Sequence, residues 1–166
     1  MANHGFVFTR KKLSKDRLQE ALQKVNQDRF KGRMEIERDG DWNPGKPLFK
    51  IKLTDDIHIF FWLSTPHKVE HRHGPGGDFR WWVESVFAND LALTWDGWLG
   101  DEGVPERWKP EQDKFPTLRS YMKAMYKWHR KDKKETLAHK LAARRMTNMF
   151  LKEARVQRPD LKEYFK

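Results

Sequence analysis

Three histidines, His67, His71 and His73, precede a glycine-rich run that ends at Asp78. In an extended backbone His71 and His73 point the same way. With His67 or Asp78 they would supply three ligands of an open zinc or manganese site, the kind that activates water for hydrolysis. The spacing matches no established ligand pattern, and Lys68 and Arg72 bring positive charge against a dication. A polar loop that carries histidines is therefore the expectation, and a metal-dependent hydrolase or nuclease the alternative. The glycines lack the Gly-Lys-Ser/Thr ending of a phosphate loop. Asp96, Asp101 and Glu102 sit beside Gly97, Gly100 and Gly103, where carboxylates commonly satisfy turn amides. Without any cysteine, disulfides, thiolate zinc sites and cysteine nucleophiles are excluded.

Cations and aromatic rings offer a different chemistry. The net charge of +10 is concentrated in residues 116–166, where 15 Lys and Arg face 5 Asp and Glu. On a last helix, Lys133, Lys140, Arg144 and Arg155 share one arc, while Ala138, Ala142, Met146, Met149 and Phe150 cover the opposite one and are expected to pack. Arg119, Lys123, Lys127 and Arg130 add charge on the helix before it. Such a surface suits a polyanion, with an acidic protein as the alternative partner and a merely solvated basic face as the plain reading.

The second chemistry is stacking. Strict alternation puts His58, Phe60 and Trp62 on one side of a strand and Ile57, Ile59, Phe61 and Leu63 on the other. Alternation also puts Trp82 beside Arg80 on one face of a strand over 79–87. If Trp62 and Trp82 lie open near Lys50, Lys52 and Arg80, they form platforms on which any base can stack while the cations follow phosphates. At least one of the two indoles is expected on a ligand-accessible face.

These groups need a scaffold. A short strand over 6–9 leads to Ser14 as an N-cap, a helix carrying Leu18, Ala21, Leu22 and Val25 at helical spacing, and a stop at Lys31 and Gly32. Alternation over 33–96 predicts five strands, including hairpins closed at Asp55-Asp56 and at Asn89-Asp90. Residues 97–116, with three glycines and three prolines, are expected to form a long loop. Two helices follow. The fold expected is α+β: an antiparallel sheet of five to six strands, one N-terminal helix and two C-terminal helices in a single domain over 1–158, then a basic tail over 159–166. Neither a signal peptide nor a membrane span is visible, and the absence of cysteine suits the cytoplasm. The expected function is non-catalytic binding of nucleic acid without a cofactor, RNA or single strands before duplex DNA.

Overall fold

Ser14 accepts the Arg17 amide at 3.2 Å, and Lys31 adopts the left-handed conformation at φ 55°. Between them α1 (Lys15–Phe30) buries Leu18, Ala21, Leu22, Val25, Asn26 and Phe30, as its spacing predicts. The computed structural model describes residues 4–72 and 76–166. Its strands are β1 (His4–Phe8), β2 (Glu35–Asp41), β3 (Pro47–Lys52), β4 (His58–Thr65), β5 (Lys68–Arg72), β6 (Trp98–Asp101) and β7 (Val104–Trp108). The remaining helices are α2 (Gly77–Thr94), α3 (Leu118–His129) and α4 (Leu137–Gln157), followed by a 3-10 helix, Pro159–Tyr164.

The fold is α+β, with one antiparallel sheet in the order β2-β3-β4-β5-β1-β6-β7. Register fixes its two faces, because side chains alternate and cross-strand partners share a side. Val7, Val69 and Leu99 align on one face, as do Phe49 with Phe61 and Ile51 with Ile59. All of these join a core shared with α1, α2, α3, α4 and the 3-10 helix. Every helix thus lies on one side of the sheet.

Three expectations change. Residues 79–94 form no hairpin but most of α2, capped by Trp95, and the helix buries Phe79, Trp82, Val83, Val86, Phe87 and Leu91. The Asn89-Asp90 pair, expected as its turn, is held by tertiary contacts instead. Asn89 donates to Glu111 O at 2.8 Å and accepts from Glu111 N at 3.0 Å, and Asp90 takes two bonds from Arg29 at 2.9 Å. Of the histidine segment only His67 lies in a turn, since Lys68–Arg72 form β5, which pairs with both β1 and β4. Within 97–116, β6 and β7 form a hairpin whose turn uses Gly103 at φ 76°. Pro105 is tolerated because β7 is the outermost strand, where a missing amide breaks no inner ladder.

Residues 159–166, expected as a basic tail, are fixed to the core. Leu161 and Phe165 are fully buried, and the Phe165 ring meets Phe79 edge-on at 5.3 Å and Trp82 at 6.1 Å. Arg158 secures the start of the segment by donating to Leu53 O and Arg33 O, each at 2.8 Å. We predict that Phe165→Ala lowers unfolding free energy by about 3–5 kcal/mol, the usual loss for a buried phenylalanine. A shift in urea denaturation below about 1 kcal/mol would show that these residues are dispensable to the core.

Candidate nucleic-acid interface

With every described helix on one side, no described helix covers the opposite sheet face. Its residues follow from register: Leu48, Lys50 and Lys52 of β3, His58, Phe60 and Trp62 of β4, Lys68, Glu70 and Arg72 of β5, His4, Phe6 and Phe8 of β1, and Trp98 and Gly100 of β6. Phe6, Phe8, Phe60 and Trp98 are half-buried and stand outside the core cluster. Gly100 leaves the space that the Phe8 ring occupies, since a Cβ there would come within 2.8 Å of Phe8 Cε2.

The face divides electrostatically. Toward β2 its cations are already matched: Lys50 pairs with Glu37 at 2.6 Å and Lys52 with Asp55 at 3.3 Å. The Lys50 hydrogen bond holds the Glu37 carboxyl below its ordinary range, and the same bond raises the Lys50 ammonium. Toward β7 the cations lie on rings. Arg107 sits 4.3 Å from the Phe8 centroid, Lys68 5.0 Å from Phe6, and Lys109 and Arg10 4.4 and 5.3 Å from Trp98. Lys68 also reaches Glu70 at 3.8 Å. Among the described residues Arg10, Arg107 and Lys109 have no carboxylate within ion-pair distance.

Neither expected indole platform is open. Trp62 does lie on the uncovered face beside Lys50, but it is 1% exposed. Trp42 stacks on it at 4.6 Å and 16°, His4 meets it edge-on at 5.4 Å, and its Nε1 donates to Glu70 at 3.1 Å. Trp42 itself is 40% exposed, so it is the outer ring of the pair. Trp82 belongs to α2 and is buried against Phe30, Phe79 and Phe165, with Nε1 donating to Phe115 O at 2.9 Å. Arg80 is on the same helix, buried and donating to Arg72 O at 3.4 Å; burial lowers its pKa from the ordinary guanidinium value. Both leave the sheet group because the segment is helical.

The C-terminal cations lie with the helices, on the other side of the sheet. Lys123, Lys127, Lys133, Lys140 and Arg144 are exposed there, and Arg130 is half-buried. Arg119 donates to Lys166 O at 2.8 Å and Arg155 to Phe165 O, so both also secure the chain end. The two groups of residues expected from sequence to act together therefore belong to separate surfaces. Phe6, Phe8, Trp98, Arg10, Arg107 and Lys109 escape a reading of the sequence, because only the β1-β6-β7 register brings them together.

The histidines are also dispersed. His67 is exposed before β5, whereas His71 is buried on the core face, stacked on Phe61 at 5.1 Å with Nδ1 2.6 Å from Glu84. Asp78 is on the first turn of α2, its pKa raised by burial, and His73 falls outside the described residues. Among the described residues no group of three or more His, Asp or Glu converges on a metal position, and no helix is long and apolar enough to cross a membrane.

Comparison with known protein families, curated proteins and solved structures gives no match to this chain. We predict that Trp42→Ala strips the cover from Trp62. The variant should lose about 0.5–1.5 kcal/mol of stability, the usual worth of an aromatic pair, and gain an acrylamide-quenchable indole signal that disappears when Trp62→Phe is added. Identical quenching in Trp42→Ala and the double variant would show that Trp62 stays covered.

Proposed function

We propose that the protein is a non-catalytic nucleic-acid-binding protein that takes single strands, RNA among them, across the β1-β6-β7 part of its uncovered sheet face. The observation that carries this reading is the set of half-buried rings, Phe6, Phe8 and Trp98, each with a cation lying on it. Magnitudes favour exchange of partners. An exposed cation–π contact is worth about 0.5–1 kcal/mol, whereas stacking a base is worth about 1–3 kcal/mol. A base can therefore take the ring while the displaced Arg or Lys, still tethered nearby, meets the adjoining phosphate.

The rings argue against duplex, because Phe6, Phe8 and Trp98 can stack only on bases whose faces are open, and a duplex keeps its bases stacked on one another. An extended strand can instead lie across the face. The absence of cysteine suits a reducing compartment such as the cytoplasm.

The test is fluorescence anisotropy with labelled oligo(U) and oligo(dT) over a salt series. Phe8→Ala and Trp98→Ala should each weaken binding about tenfold, within the range for one stacked base. Arg107→Glu with Lys109→Glu should flatten the slope of log K against log salt by about 0.7 for each phosphate no longer neutralised. Lys140→Glu with Arg144→Glu should alter neither quantity. Loss of binding in the helical pair with silent sheet variants would transfer the interface to the helices and overturn this assignment.

A further inference from the structure

Among the described residues, the apolar side chains by which α4 packs on the core lie on one arc, and Arg155 adds a hydrogen bond to Phe165 O. Leu151 and Ala154 are buried and Phe150 packs on the core, with His139, Ala143 and Thr147 half-buried along the same side. The arc expected to pack, apart from Phe150, faces outward. Ala138 and Ala142 are exposed, as are Leu141 at 45%, Met146 at 53% and Met149 at 50%. At about 100° per residue these five residues form one patch about 140° wide. An apolar arc in a soluble helix ordinarily marks a packed face, and this one has no partner within the described residues.

Charge indicates what the arc receives. Arg145 lies in the middle of the patch and Lys152 at its edge. Along the helix Lys140, Arg144, Arg145, Lys152 and Arg155 outweigh the single carboxylate, Glu153. A second copy of α4 would oppose like charges across the contact. A nucleic acid would satisfy the cations but offers no aliphatic surface for Leu141, Met146 and Met149. The small side chains of Ala138 and Ala142, one turn apart, let another helix approach closely, and methionines adapt to the shape of what they cover.

We infer that this arc docks an amphipathic helix of an acidic protein. Aliphatic side chains at i, i+4 and i+7 of the partner meet Leu141, Met146 and Met149, and its flanking carboxylates meet Arg145 and Lys152. The site is separate from the sheet face. A chain occupied at both surfaces would join a nucleic acid to an acidic protein.

The probe is a labelled synthetic helical peptide about five turns long, with leucines at i, i+4, i+7 and i+11 and glutamates on its flanks, titrated with the full chain. A second peptide carries lysines in place of the glutamates. The glutamate peptide should bind saturably and the lysine peptide should not. Met146→Asp with Met149→Asp should weaken the glutamate peptide at least tenfold. Arg145→Glu with Lys152→Glu should reverse the preference between peptides, a charge swap that general destabilisation would not produce. Circular dichroism melts confirm folding, and Leu141→Ala serves as a milder variant. No saturable binding, or equal binding by wild type and both double variants, overturns the inference. So does a dimer in sedimentation that the methionine variant dissociates, which would make the occupant a second copy. Loss of oligo(U) binding in Arg145→Glu with Lys152→Glu, with the methionine variant unaffected on the glutamate peptide, would instead make it a polyanion site.

Discussion

The burial of α2 against the sheet sets the rest of the arrangement. Eleven of its 18 residues are buried, too many for one face, because β1, β4 and β6 lie on one side and α1, α3 and α4 on others. A short bond anchors this packing: Glu84, fully buried, lies 2.6 Å from His71 Nδ1 on β5. Removing either member would leave a buried polar group without its partner, a cost of about 1–3 kcal/mol, so the bond fixes where the helix can sit. Gly5 makes room for the bond, because a Cβ there would overlap the His71 imidazole. Strand, glycine and helix are thus specified together.

One consequence is the bare second face. The aromatic supply of the chain is spent mostly on the helical side, where Phe30 stacks on Phe87 at 5.6 Å and meets Trp82 edge-on at 5.6 Å. Enough remains to line the other face. Its rings are shielded by a second ring at Trp62 and by cations at Phe6, Phe8 and Trp98. Cationic stems cover apolar surface while their heads stay hydrated, which reduces the ring area that faces water.

What can be read from sequence depends on how many sides of an element are buried. The α1 helix, buried on one side and capped by Ser14, shows its period plainly, as do β3 and β4 with one face inward. Covered on several sides, α2 has no polar stripe, and its β-prone Phe79, Trp81, Trp82 and Val83 mimic a strand. β5 is obscured because His71 is a polar residue on the core face. Glycines hide β6, an inner strand between β1 and β7, and Pro105 hides β7, where the edge position relaxes the usual penalty. The body of α4 is legible, but Lys133, expected on it, precedes its Thr136 cap, and its packed side is not legible. The arc it buries, through His139, Ala143, Thr147, Phe150, Leu151 and Ala154, is no more apolar than the arc it exposes, so tertiary neighbours and not amphipathicity choose the contact. For the candidate site, alternation assigns Lys50, Lys52 and Trp62 to one sheet, and they lie on one face. Phe8 and Trp98 require a pairing between residues 90 apart in sequence, which no local pattern encodes.

Separation of the two surfaces has an electrostatic meaning. A layer of helices is at least about 10 Å thick, while the Debye length at physiological salt is about 8 Å. Charge brought to the sheet face by a phosphate chain is therefore largely screened from the cations of α4, and the reverse holds for carboxylates arriving at α4. The protein's total charge of +10 then does not act as one reservoir for which ligands compete. It divides into local fields, each beside its own apolar groups: aromatic rings on the sheet and aliphatic side chains on α4. Selectivity in such a molecule rests on the apolar partner each field accompanies, since the cations alone cannot tell a phosphate from a carboxylate.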